Sequence, residues 1–292
     1  MLKVDKISKK YGNQKGIENV SFNIQKGKIL GMLGSNGSGK TTTFRILLGL
    51  LEKDCGTITY EGEAISKNNK TLFGYLPEER SMLRDLKVKD QIYYLGKLKK
   101  MNPIKLNQQI DYWLAYLKIE EYKNRKIIEL SKGNQQKVQL VCALIHDPEI
   151  IIFDEPFNGL DIENVELFQR VLLKLKKENK TILISSHQYN TIENLCDRII
   201  YLNKGDTLLQ GDLIKLKKKH KICYINIYGE DEEYIGEDDG IIETYTNGSR
   251  LIVKLESQEK GYRIIKRLMK AEVSDFRLEL ASLADIIKEK LK

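Results

Sequence analysis

The chain has 292 residues, 41% hydrophobic and 31% charged, with 49 basic against 41 acidic side chains for a net charge of +8. That is enough apolar content for a buried core and too much for a disordered chain, and the length suits one large domain or two smaller ones. No stretch approaches eighteen consecutive apolar residues, and the opening MLKVDKISKKYG is too polar for a secretory signal, so neither a membrane span nor a leader is expected. Nucleic acid and an anionic membrane surface are two readings of the basic surplus. Lysine is abundant throughout, however, and the densest run, Lys215 to Lys221, falls where a linker helix is expected, so composition is the simpler account. Cys55, Cys142, Cys196 and Cys223 lack metal-like pairing and read as buried thiols in a reducing compartment.

In chain order, Leu2 to Ile7, Val20 to Ile24 and Lys28 to Leu33 read as strands, with Gly27 at the turn before the last. Directly after them comes Gly34-Ser35-Asn36-Gly37-Ser38-Gly39-Lys40-Thr41, followed by helical Thr42 to Leu48. This is G-x-x-x-x-G-K-[ST] in the strand-to-helix setting its chemistry needs. Gly34, Gly37 and Gly39 let the backbone curl so that its N–H groups form an anion nest, and the helix N-terminus adds its positive dipole end. Lys40 has the reach for β- and γ-phosphates, and the Thr41 hydroxyl suits Mg²⁺. The loop predicts nucleotide binding.

Gly56 to Tyr60 is a short β-branched strand closed by Gly62. From about Val88 to Ile145 the pattern turns helical: Asp90 to Lys99 and Leu106 to Leu117 space apolar residues three to four apart, with Pro103 between them. Leu130 to Gln136 begins a further helix, where Ser131 can cap and Gly133 allows close backbone approach, a second place suited to phosphate. Ile150 to Phe153 is a buried-strand run ending in Asp154-Glu155-Pro156. At a strand tip of an open α/β sheet, Asp154 would face the phosphate loop and hold Mg²⁺ through water, while Glu155 would orient or deprotonate an attacking water. A lone acidic pair would be an ordinary turn; after a complete phosphate loop the chemical reading is stronger. Amphipathic Val165 to Lys177 and the strand Thr181 to Ser185 follow, then Ser185-Ser186-His187, which ends on the same sheet edge. Alternating strands and helices predict an α/β fold: a parallel sheet covered on both faces, with a helical insertion over about 80–145.

Past Leu213 the texture changes. Ile222 to Ile227, Ile241 to Tyr245 and Leu251 to Leu255 read as strands, the last two around the turn Thr246-Asn247-Gly248-Ser249. A helix (Gln258 to Met269), a strand (Val273 to Leu278) and a terminal helix (Leu283 to Leu291) complete a small α+β unit. The expected division is 1–215 for the nucleotide-binding domain and 216–292 for the appended one, which carries no constellation tied to chemistry.

Taken in order, these motifs resemble those of the ATP-binding-cassette ATPases, the motor subunits of ABC transporters, over about residues 1 to 215. The matching segments are the phosphate loop Gly34–Thr42, with Thr42 as a further contact, the Q-loop region Gly74-Tyr75-Leu76-Pro77-Glu78 and the signature Leu130–Gln136. The Walker B strand Ile150–Glu155, the D-loop Asn158-Gly159-Leu160-Asp161 and the switch His187 complete the set. The resemblance implies a phosphate-loop NTPase that binds Mg-ATP, with Tyr11 stacked on adenine and Thr41, Asp154 and Glu78 around the metal. It implies catalysis by Glu155, Lys40 and His187. It also implies a head-to-tail pair of cassettes, the same chain or another, in which the partner's Ser131 and Gly133 close over ATP and Asp161 links the sites. One cassette without a membrane span would further need separate transmembrane permease subunits, placing the chain at the cytoplasmic face of a membrane with no nucleic-acid partner.

Two positions depart from the family pattern. Glu78 stands where the Q-loop has glutamine, and the signature reads LSKGNQ where LSGGQ is commonest, with Lys132 adding positive charge. Segments like GYLPEER occur in a subset of ABC exporter ATPases, and the C-terminal unit looks like an extension on exporters of sodium, drugs or peptide antibiotics. Both features favour export. The competing readings are a cytosolic ABC ATPase acting on ribosomes or DNA and a non-hydrolysing nucleotide sensor. The first usually carries two cassettes, coiled coils or zinc cysteines; the second is opposed by Lys40, Asp154, Glu155 and His187 standing together.

Overall fold

The structure, a computed structural model, describes residues 1–65, 69, 71–79, 82–228, 240–273 and 275–291. Two compact units divide it, Met1–Gln210 and Gly211–Lys292. The first opens with β1 (Leu2–Tyr11), β2 (Gln14–Ile24), β3 (Ile29–Leu33), α1 (Lys40–Leu47), β4 (Cys55–Tyr60), β5 (Glu63–Ala64) and β6 (Phe73–Leu76). Helices α2 (Val88–Leu98), α3 (Pro103–Tyr116) and α4 (Lys132–Leu144) follow. Then come β7 (Ile150–Phe153), α5 (Ile162–Lys177), β8 (Thr181–Ser186), α6 (Tyr189–Leu195), β9 (Arg198–Asn203) and β10 (Asp206–Asp212), inside which the boundary falls.

One sheet runs β10-β9-β3-β8-β7-β6, and its neighbours from β9 to β6 are parallel. Strands β3, β7 and β8 are buried along their whole length, as inner parallel strands covered on both faces must be. Their near-continuous apolar sequences follow from that burial. Helix α5 shows the complementary pattern: Leu167, Phe168, Val171, Leu172 and Leu175 are buried along one stripe, and Lys174, Lys176 and Lys177 complement the dipole in its last turn. Parallel pairing has one decisive effect. The C-terminal tips of β3, β8, β7 and β6 lie side by side, and the chain leaves them at Gly34, His187, Asp154 and Pro77.

The other early strands depart from the single parallel sheet read in the sequence. β1, β2, β4 and β5 form a separate antiparallel sheet in the order β2-β1-β4-β5. β1 and β2 are joined by a short turn at Gly12-Asn13, which permits only antiparallel pairing. Pro103 also has a more specific place than a spacer between helices. It occupies the first position of α3, where its missing N–H costs nothing, behind an Asn102 side chain that accepts the Ile104 N–H at 2.9 Å. The expectation of four buried thiols fails at Cys55, which is exposed at the start of β4; Cys196 and Cys223 are buried.

The second unit continues with α7 (Leu213–Lys219), β11 (Cys223–Tyr228), β12 (Ile241–Asn247), β13 (Arg250–Leu255), α8 (Gln258–Lys270), β14 (Phe276–Leu280) and α9 (Leu283–Leu291). Its strands pair antiparallel in the order β12-β13-β11-β14. Alternate residues Cys223, Ile225 and Ile227 of β11 and Leu251, Val253 and Leu255 of β13 pack with Ile264 and Leu268 of α8. The strand expected from Val273 instead begins at Phe276, in register with Ile227.

Candidate nucleotide site

The loop between β3 and α1 is shaped by two glycines that no other residue could replace without displacement. Gly34 has φ 149°, and a Cβ there would lie 2.3 Å from Ser38 Oγ and 2.4 Å from the Leu202 carbonyl oxygen. Gly39 has φ 109°, and its Cβ would meet Ile17 Cγ2 at 2.4 Å. The loop tip, Ser35, Asn36 and Gly37, is exposed, whereas Ser38, Gly39 and Lys40 are buried. Lys40 turns back into the loop, donating to the Gly34 carbonyl at 2.7 Å and the Ser35 carbonyl at 3.3 Å. An ammonium carries three protons, so one donor is left for a phosphate oxygen. The buried Ser38 hydroxyl has no hydrogen-bond partner among the described residues, a further uncommitted donor in the loop. These are features a phosphate cradle needs.

The carboxylates arrive from the neighbouring strand tips. Asp154 and Glu155 are 2% and 7% exposed, and both are held by one hydroxyl. Ser185 Oγ donates to Asp154 Oδ1 at 2.6 Å and accepts the Glu155 N–H at 2.8 Å. Asp154 Oδ2 receives the Thr41 hydroxyl at 3.4 Å and, more loosely, the Tyr75 hydroxyl at 3.5 Å. Burial, reinforced by Asp154, pushes the Tyr75 hydroxyl up to about 12, so it stays a donor at neutral pH. Glu155 Oε1 lies 3.9 Å from the Lys40 ammonium, and Oε2 lies 2.9 Å from His187 Nδ1. A carboxylate only accepts, so the shared proton sits on Nδ1. Glu155 adopts φ +48°, an uncommon backbone state for a side chain of its size.

Five of the residues singled out in the sequence therefore converge: Lys40, Thr41, Asp154, Glu155 and His187. Glu78 joins them indirectly, its Oε1 accepting from Asn158 Nδ2 at 3.4 Å. Tyr11 is 46% exposed at the end of β1, its hydroxyl 3.4 Å from Thr42 Oγ1 and one edge of its ring against Gly16. Ser131 caps α4 by accepting the Asn134 N–H at 3.3 Å, and Asp161 caps α5 by accepting the Asn164 N–H at 2.9 Å. Asn164 links these two helix heads: its Nδ2 donates to Asp161 Oδ2 at 3.0 Å and would lie 2.8 Å from a Cβ on Gly133. Among the described residues no hydrogen bond or ion pair joins Ser131, Gly133 or Asp161 to the phosphate loop.

Sequence reading missed the residues that hold the site rather than form it. Ser185 was visible only as the residue before Ser186-His187, and its fully buried position marks it as structural to both carboxylates. Gln136, whose Nε2 donates to the Pro156 carbonyl at 2.6 Å, was read only as the last residue of the signature, with no role of its own. Replacing Ser185 with alanine should leave the Glu155 N–H unsatisfied and Asp154 short of one hydrogen bond. The cost is about 1–3 kcal/mol, read as a lower denaturant midpoint in equilibrium unfolding, together with a drop in ATP turnover.

Comparisons with known proteins point to one family. The family profile described as ABC transporter matches residues 17–158. An uncharacterised ABC transporter ATP-binding protein of Bacillus subtilis is 36% identical over 293 residues, covering 100% of this chain and 98% of that protein. One of Methanocaldococcus jannaschii is 45% identical over 218 residues, 75% of this chain and 80% of that protein. A Nod factor export ATP-binding protein of Burkholderia lata is 32% identical, covering 77% of this chain and 75% of its own length. Among solved structures, an ATP-binding subunit of an ABC transporter superposes with a TM-score of 0.70 at 27% identity, over 75% of this chain and 92% of that one. A dimeric cassette in a post-hydrolysis state, bound to ADP and phosphate, gives 0.67 at 25% identity, over 73% and 99%. The chain belongs to the ABC transporter ATP-binding proteins and is an ATPase of that family.

Proposed function

We propose that the chain is the ATP-hydrolysing motor subunit of an ABC exporter and works as one half of a pair of cassettes. The convergence of Lys40, Asp154, Glu155 and His187 at adjacent strand tips carries this reading. In it Lys40 and the loop N–H groups hold the phosphates, Tyr11 stacks on the base, and Glu155 takes the proton of the attacking water while His187 fixes its carboxylate. Mg²⁺ takes one or two protein oxygens together with phosphate oxygens and water. Thr41 Oγ1 and Asp154 Oδ2, 3.4 Å apart, are such a set, and Glu78, held against Asn158, would add a further carboxylate. A second cassette would supply its Ser131 and Gly133 to close the site, as the exposed Ser131 at the head of α4 allows. Export is favoured by the likeness of the Gly74–Glu79 segment and of the C-terminal unit to exporter ATPases, and by the Nod factor export relative. No described helix is long and apolar enough to cross a membrane, so membrane passage would belong to a separate permease, with this chain on its cytoplasmic side.

A groove of about 820 Å³ between α1 and the helical insertion suits a helix of that permease. Its walls include Leu50, Leu51, Tyr75, Met82, Leu95 and Leu98, and Leu50 and Leu98 are 68% and 61% exposed. Apolar side chains of this kind in a concave surface accept an amphipathic helix. Single cysteines at Leu50, Leu83 and Leu98, introduced with the exposed Cys55 replaced by serine, should cross-link to the membrane subunit that co-purifies with the chain. Cross-links arising only from a cysteine at Tyr262 in the C-terminal unit would place docking elsewhere.

A further inference from the structure

We propose that Gln139 is a positioning residue for Glu78, clamping the loop that carries this carboxylate onto helix α4. The proposal rests on the ATPase reading above. Gln139 is 5% exposed, and its Nε2 donates to the Pro77 carbonyl at 3.2 Å and the Glu79 carbonyl at 3.0 Å. An amide nitrogen has two protons, and here both go to the carbonyls on either side of Glu78. The side chain of Glu78 stays exposed and reaches Asn158, while the backbone around it is pinned from beneath.

The same helix face repeats the device one turn earlier. Gln136 and Gln139, spaced i and i+3, lie on one side of α4. Gln136 holds the Pro156 carbonyl, just past Glu155, and Gln139 holds the Glu78 loop. Asn158 closes the arrangement, its side chain on Glu78 and its N–H on the Glu155 carbonyl at 3.2 Å. Helix α4 begins at Ser131 and Gly133, so the head that faces outward and the two carboxylate loops are parts of one rigid element. Gln139 also lines the groove proposed for the permease helix. An aliphatic residue would fill that wall equally well but would give neither carbonyl a donor.

A double-mutant cycle on the full chain separates positioning from simple loop stability. Gln139→Met keeps the volume and removes both donors. A misplacement of about 1 Å away from the chemistry costs up to about 10²-fold in rate. Gln139→Met should therefore lower kcat for Mg-ATP by about tenfold with KM nearly unchanged. In a Glu78→Gln background the same substitution should add no further loss, because its effect passes through Glu78. Amide exchange over Leu76–Glu79 should accelerate in Gln139→Met while exchange in β3 stays unchanged. If Gln139→Met fails to fold, Gln139→Asn keeps the amide but falls short of the carbonyls and is measured in the same way. Wild-type kcat in the variant, additive losses in the cycle, or an inert Glu78→Gln beside an impaired Gln139→Met would each overturn the proposal. A wild-type chain without ATP turnover would instead reject the ATPase reading, and the exchange measurement would still test the clamp.

Discussion

Glu155→Gln is expected to keep ATP on the protein and nearly stop its turnover. The carboxylate is buried and fixed from three sides: its own N–H on Ser185, Oε2 on His187, and Oε1 3.9 Å from Lys40. Glutamine has the same shape and can keep most of these contacts, so the pocket should remain assembled. What it lacks is basicity. Removing a positioned general base costs about 10²–10⁴-fold in rate, and steady-state ATPase measurement should find a loss in that range. With ATP bound and not consumed, two copies should stay closed over it, and sedimentation should show a dimer that appears only with nucleotide. Glu78 offers the internal control, being a second carboxylate tied to the same segment through Asn158. If Glu155→Gln keeps near-normal turnover while Glu78→Gln loses it, the two roles are exchanged.

Lys40→Ala should abolish measurable nucleotide binding. Lys40 is 6% exposed, its ammonium is tethered to the Gly34 and Ser35 carbonyls, and it has the reach to meet phosphate oxygens from within the loop. A hydrogen bond to a charged group is worth about 1.5–3 kcal/mol, so losing the one donor left for phosphate weakens affinity by about 10- to 10²-fold. Calorimetric titration with Mg-ATP should give no binding heat at concentrations that saturate the wild type. The substitution also strips Glu155 of its nearby positive charge, so circular dichroism must show a folded chain before the lost heat is assigned to the site. Unchanged affinity in a folded variant would sink the phosphate-loop assignment.

The parts of the site that were legible in the sequence are those set by local pattern. Lys40, Asp154 and His187 each follow an apolar strand, and parallel pairing of β3, β7 and β8 then brings the three together. Strand order itself leaves little local trace. β1 and β4 read as strands, yet nothing in either stretch says that they pair with each other in a sheet of their own. The supporting polar residues were invisible for a related reason. Ser185, Gln136 and Gln139 act on groups 20 to 62 residues away, two of them on backbone carbonyls that have no side-chain signature. Cys55 misled because cysteine is usually buried, and here the first position of β4, in a small antiparallel sheet, leaves it in water.

The backbone of Glu155 carries a consequence for how this chain can change over time. A left-handed φ costs a residue with a Cβ about 1–2 kcal/mol that glycine or asparagine largely avoids. Selection for stability alone would thus push position 155 toward those two residues. A library of variants sorted only for soluble expression should accumulate them there, and one sorted for turnover should not. On the proposed reading the strain sits at the carboxylate that takes the proton of the attacking water, so for this site robustness and work pull the sequence in opposite directions.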